Sequence, residues 1–145
     1  MRSVRNLLVV IATVLALTGL AASVTASTPN TLTIVKDCTV GFTGKVGGYC
    51  TITESNLAAI PAGSRVNYYG PVVGSSVFIS SSAVISNGAA NTATGYCQVD
   101  LLSGEGLCTF WKGTGTLTGF HAVINGSAES APRYHWDGRY YFTGR

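Results

Sequence analysis

The sequence predicts an all-β protein, a single eight-stranded antiparallel β-barrel, on three observations. Apolar and polar residues alternate over short runs rich in Val, Ile, Thr, Tyr and Phe, bounded by Gly, Asn, Ser or Pro. Beyond residue 26 no segment places apolar residues at i, i+3, i+4 and i+7 over three turns, so the helical period is missing. The connections between runs are short, which suits antiparallel neighbours, whereas parallel pairing needs long, usually helical, crossovers.

Taken in order, residues 1–26 read as a secretory signal peptide. Arg2 and Arg5 precede an apolar run from Leu7 to Leu17 that is too short for a comfortable membrane span, and Val24-Thr25-Ala26 offers the small residues a signal peptidase reads. Cleavage is expected after Ala26, with an uncleaved anchor as the alternative, and the expected address is extracellular. Residues 27–46 carry an N-terminal segment with the first strand, and 47–145 complete one domain that no linker divides.

The eight expected strands are Leu32 to Lys36, Tyr49 to Thr53, Arg65 to Tyr69, Ser76 to Ser86, Ala93 to Leu102, Leu107 to Lys112, Gly119 to Asn125 and Arg133 to Phe142. Ala62-Gly63-Ser64, Tyr69-Gly70-Pro71, Asn87-Gly88 and Ser103-Gly104-Glu105-Gly106 supply turn chemistry between them, and one helical turn is expected from Asn56 to Ile60, stopped by Pro61. Gly48-Tyr49-Cys50-Thr51-Ile52 and Gly95-Tyr96-Cys97-Gln98-Val99 read as two strands entering the core in similar surroundings. Closing the sheet on itself removes both raw edges, which favours a barrel; a two-sheet β-sandwich is the alternative.

The glycine-dense stretch Gly113-Thr114-Gly115-Thr116-Leu117-Thr118-Gly119 does not fit a nucleotide loop. Three residues separate its second and third glycines, no helix pattern follows, and no Gly-Lys-Ser/Thr is present. With strands on both sides it reads as a turn and a sharp bend, where a Cβ would obstruct closure.

Cys38, Cys50, Cys97 and Cys108 all lie in the exported part, an even count that reads as two disulfides. Of the three pairings, Cys38 with Cys50 and Cys97 with Cys108 are favoured, because each pair brackets a Gly-containing reversal. Close Cys-x-x-Cys pairs are absent, so no metal is expected. Without its leader the chain has 119 residues, with seven Lys or Arg against six Asp or Glu and no basic cluster, so nucleic acid is not an expected partner.

The run from Gly106 to Ala122, GLCTFWKGTGTLTGFHA, followed by Tyr134-His135-Trp136-Asp137-Gly138-Arg139-Tyr140-Tyr141-Phe142, resembles secreted bacterial proteins of the allene oxide cyclase-like and dirigent-like barrel superfamily. In that superfamily a strand leads to a Gly-Thr-Gly turn, a strand opening with Gly follows, and an aromatic-rich strand closes the barrel. The resemblance covers roughly Gly47 to Phe142. It implies a calycin-like or allene oxide cyclase-like eight-stranded barrel with an apolar interior, no cofactor and, in some relatives, homo-oligomers. It does not imply one activity. The plant cyclases place a Glu-x-Asn and a later Pro near their substrate; Glu54-Ser55-Asn56 with Pro61 looks similar, but its Asn-to-Pro interval is shorter and it falls in a loop after a strand. The acids and arginines of dirigent catalysis find no matching positions.

Candidate site residues follow from strand faces. In the closing strand Tyr134, Trp136, Tyr140 and Phe142 share one face, which together with Phe110 and Phe120 could line a cavity for a small hydrophobic molecule or simply fill the core. His121 shares a face with Val123. Turned inward, its imidazole could act as a general base or hold a ligand oxygen; the alternative is a histidine satisfied by a carbonyl, an Asp or a Tyr. Glu54 is the other candidate for catalysis, although neither it, Asp100 nor Glu105 has an evident paired carboxylate, and no Gly-x-Ser-x-Gly elbow exists. Asn125-Gly126-Ser127 fits both a glycosylation site and a turn. Three functions are therefore weighed: a secreted barrel binding a small hydrophobic ligand inside, a cyclase-like or dirigent-like enzyme, and an interaction protein that uses the barrel as a scaffold.

Overall fold

The computed structural model describes residues 28–41, 46–70, 72–73, 78–100 and 102–144, without the side chains at 72–73 and 79; the proposed signal peptide lies outside them. Among the described residues nine strands follow one another: β1 Asn30–Asp37, β2 Tyr49–Ser55, β3 Arg65–Tyr68, β4 Val72–Val73, β5 Phe78–Ser86, β6 Thr92–Asp100, β7 Gly106–Gly113, β8 Phe120–Ser130 and β9 Arg133–Phe142. They form one antiparallel sheet ordered β3-β2-β1-β9-β8-β7-β6-β5-β4. A further pairing of Val66 with Ile85 and Tyr68 with Ala83 joins β3 to β5. That ladder shuts the sheet into an eight-stranded barrel, with the two-residue β4 as a flap on β5. The sandwich alternative falls at this ladder, because two separate sheets would leave β3 and β5 unpaired with each other.

Alternation sets the inner face. Leu32 and Ile34 on β1, Ile52 on β2, Ile85 on β5, Phe110 on β7 and Ile124 on β8 are all buried, and the residues between them look outward. Both disulfides sit on this inner face and pair as expected, Cys38 with Cys50 and Cys97 with Cys108. Cys97 and Cys108 are directly opposite across β6 and β7. Cys50 and Cys97 are both buried in the core, so the two Gly-Tyr-Cys segments do enter it at their cysteines, while Tyr96 is exposed and Tyr49 is half-buried.

Glycine permits the tight curvature. A Cβ on Gly138 would lie 2.1 Å from the Val123 carbonyl oxygen, and one on Gly95 would lie 2.3 Å from that of Thr109. Both are inward positions where the wall coils too sharply for a side chain. The Gly113–Gly119 connection is a turn as expected, tightened into a 3-10 segment from Gly115 to Leu117. Gly115 and Gly119 have φ of +57° and +76°, left-handed conformations that other residues rarely adopt. The turn folds Leu117 under the barrel as a fully buried plug.

Three local expectations differ from what is observed. β8 continues to Ser130, so Asn125-Gly126 lies within a strand and the reversal comes at Ala131-Pro132. The pattern from 126 to 130 loses its apolar alternation because the inner-phase Ala128 and Ser130 are exposed as well as Ser127 and Glu129, while the backbone ladder to β9 carries on. Residues 56–60 form bends and a turn with an Ile60 N–H to Leu57 C=O bond of 2.8 Å, without a helix. The two-residue β4 was not expected.

Candidate functional site

Lys36 stands in the apolar phase of β1, two residues beyond Ile34 and four beyond Leu32, so the pleat carries its side chain into the barrel. Only 5% of it is exposed. Three aromatic rings from two strands surround the amine: Nζ lies 4.2 Å from the centre of the Trp136 ring, 5.3 Å from that of Tyr68 and 5.5 Å from that of Tyr134. Tyr134 is the direct cross-strand neighbour of Lys36 on β9. Tyr68, at the end of β3, accepts a hydrogen bond of 2.6 Å from Nζ through its hydroxyl oxygen.

No carboxylate is paired with Lys36 among the described residues. Removal from water therefore acts on the ammonium with no compensating anion, and burial pushes the amine down from 10.5 to about 7. The Trp136 and Tyr134 rings work against that shift, because their quadrupoles attract the charged form, whereas Tyr68 meets Nζ with its hydroxyl edge. Burial, followed by the nearby Tyr134, drives the Tyr68 phenol upward. At neutral pH the group is thus poised between ammonium and free amine beside a phenol that keeps its proton.

A cavity of about 30 Å³ adjoins the amine, walled by Tyr134, Trp136, the Cys38–Cys50 pair and Gly106 with Gly126. Gly106 and Gly126 face each other across β7 and β8. A Cβ on Gly126 would lie 3.2 Å from the Trp136 indole, so the missing side chain leaves space for that ring and for the cavity beside it. At roughly 10 to 15 Å³ per water, the space takes two or three waters or a molecule of that size.

The residues anticipated from the sequence divide among three places. Trp136 and Tyr134 line the cavity, and Phe110 packs beneath Trp136 with ring centroids 6.0 Å apart. Phe120, Tyr140 and Phe142 form a cluster of their own at the opposite end of the barrel, with centroids 5.5 to 6.0 Å apart, and there they fill the core. His121 lies on the outer wall: its neighbours Phe120 and Ala122 are buried, and its ring stacks on Tyr141 at 4.8 Å and 3°. The inward orientation considered for it is not adopted, because the pleat gives the inner face to Phe120. Glu54 is also outside, bonded to Arg133 at 2.7 Å with 64% of its side chain exposed.

Lys36 and Tyr68 were not anticipated. The signal was present in the phase of the residues, since a lysine two positions after Ile34 in a strand either ends the buried face or enters it. Among the described residues no helix is long and apolar enough to cross a membrane, and no group of three His, Cys, Asp or Glu could hold a metal ion. The two disulfides fit an extracellular protein. No protein-family model matches the chain, and no curated protein or solved structure matches it either.

Proposed function

We propose that this is an exported, disulfide-stapled barrel that binds one small molecule at its Lys36 end. The observation that carries the reading is the buried, uncompensated Lys36 amine beside a cavity. A methionine or leucine would fill the same space without the cost of a desolvated amine, so stability alone does not account for lysine here. Export is supported by the leader pattern of residues 1–26 and by the disulfides. Kinship with the allene oxide cyclase-like and dirigent-like barrels belongs to the same proposal and is supported by the strand, Gly-Thr-Gly turn and strand order at 106–122.

The hydrophobic ligand expected from the sequence becomes a short one, because packed side chains occupy the rest of the barrel. It pairs an apolar body, which suits Trp136 and Tyr134, with an oxygen acceptor that suits the amine and a phenol. Trp136 reports on the site, and replacing the half-exposed outer Trp111 by Phe leaves it as the sole tryptophan. Titrating that Trp111→Phe chain with propionate and propionamide should give a saturable change in emission. Flat emission up to high millimolar concentration of both would reject the reading.

An interaction surface is the second reading, and the outer wall favours it. Trp111 and Val123 are 49% and 51% exposed there, next to the His121–Tyr141 stack. Light scattering over a concentration series should show association that Trp111→Ser abolishes; a monomer throughout would count against it.

A further inference from the structure

We infer that Lys36 is a carbonyl-capturing nucleophile that holds a short-chain aldehyde as a reversible imine within the Trp136, Tyr134 and Tyr68 cage. This deepens the ligand reading and rests on it. A site that only needed to attract an anion would be better served by an exposed or paired cation, which keeps its charge at lower cost. Lys36 is instead placed where burial without a paired acid outweighs the pull of the rings on the charged form and favours the loss of charge. It is buried, it faces no acid among the described residues, and its one hydrogen-bond partner is a neutral phenol. The titratable groups that face it are Tyr68 from β3 and Tyr134 from β9, beside Trp136, while β2, β6, β7 and β8 bring Ile52 and the disulfide-bonded Cys50, Val99, Gly106 and the disulfide-bonded Cys108, and Gly126, none of which titrates.

The chemistry balances without an oxidant or reductant. The lone pair of Nζ forms a bond to the aldehyde carbon, and the C=O π electrons move to oxygen. That oxygen takes up a proton as the nitrogen loses one, which gives a carbinolamine. Tyr68, already hydrogen-bonded to Nζ, is placed to hand a proton to the oxygen and recover one from the nitrogen, ending unchanged. The nitrogen lone pair then forms C=N as the C–O bond breaks, and the hydroxyl leaves as water together with the remaining Nζ proton. Nζ is now part of a weakly basic imine, so capture replaces a buried ammonium with a neutral group and relieves the burial cost. The cavity limits the captured chain to about two or three carbons, judged by the space that a few waters occupy.

The test is reductive trapping of the full exported chain with propanal and cyanoborohydride near neutral pH, followed by peptide mapping. The exposed Lys112 of the same chain is the internal reference, so no substitution is required. Lys36 should acquire one propyl group at least about tenfold faster than Lys112, because a much larger fraction of its amine is unprotonated. Lys36→Arg, folded by near-ultraviolet circular dichroism, should lose that label. If Lys36 is labelled no faster than Lys112, capture is refuted. In that case a propionamide response at Trp136 would leave the binding reading standing, and its absence would remove both.

Discussion

Replacing Lys36 by Met separates the cost of the buried amine from everything else in the barrel. The side chains have similar reach, so the inner layer keeps its volume while the ionisable group disappears. A fall from 10.5 to about 7 corresponds to about 5 kcal/mol at about 1.4 kcal/mol per unit. The lost Tyr68 hydrogen bond and ring contacts return about 2 kcal/mol of that, so Lys36→Met should be more stable by about 3 kcal/mol below pH 7. Between pH 7 and 10.5 the folded chain has released the Lys36 proton while the unfolded chain still holds it. Native stability must therefore climb with pH in that window, by roughly 1.4 kcal/mol per unit, and the advantage of Lys36→Met must shrink at the same rate. The raised Tyr68 phenol pulls stability down above its ordinary value of 10.0, because only the unfolded chain then ionises, but both proteins share that term. Urea unfolding followed by tryptophan emission across this range gives the two profiles. A constant difference between them, or a wild type that is the more stable protein in acid, would refute the account of Lys36 as a desolvated amine.

Four further outcomes follow from the packing. Gly138→Ala should destabilise the barrel by about 3 kcal/mol or prevent folding, since its methyl meets the backbone of Val123 and Ile124; thermal denaturation of the purified protein checks it. Changing Cys97 and Cys108 together to Ser should cost about 3 kcal/mol in urea, as expected for a bridge closing a loop with a sequence separation of 11. Glu54→Gln should change stability by less than about 1 kcal/mol, because its pair with Arg133 is exposed, and should leave the Trp136 response intact. Phe110→Ala should cost about 3 to 5 kcal/mol in the same unfolding assay, since the ring is fully buried against Trp136.

The wall of the barrel was legible because each strand keeps period-two alternation over most of its length, and the disulfides because each pair spans one reversal. Boundaries failed where alternation stops before the ladder does, as at Gly126 to Ser130, whose pairing to β9 needs no apolar residue. The functional end was less legible for a physical reason. The six aromatic residues anticipated from the sequence share the inward phase, yet only the three-dimensional stagger of the strands decides that Trp136 and Tyr134 meet Lys36 while Phe120, Tyr140 and Phe142 meet one another. The orientation of His121 was a choice between two faces, and the neighbouring Phe120, the larger apolar group, took the inner one.

The ladder between β1 and β9 joins positions about a hundred residues apart, from Asn30 with Tyr140 to Asp37 with Arg133. A chain still lacking β9 has a first strand with nothing on one flank, and the wall cannot shut. Folding of this architecture is thus deferred until the tail has arrived, a delay that long-range pairing makes slower still. For the exported polypeptide proposed above, which would thread a narrow pore as a string, a seam fastened only by its last strand is a built-in safeguard against folding too early.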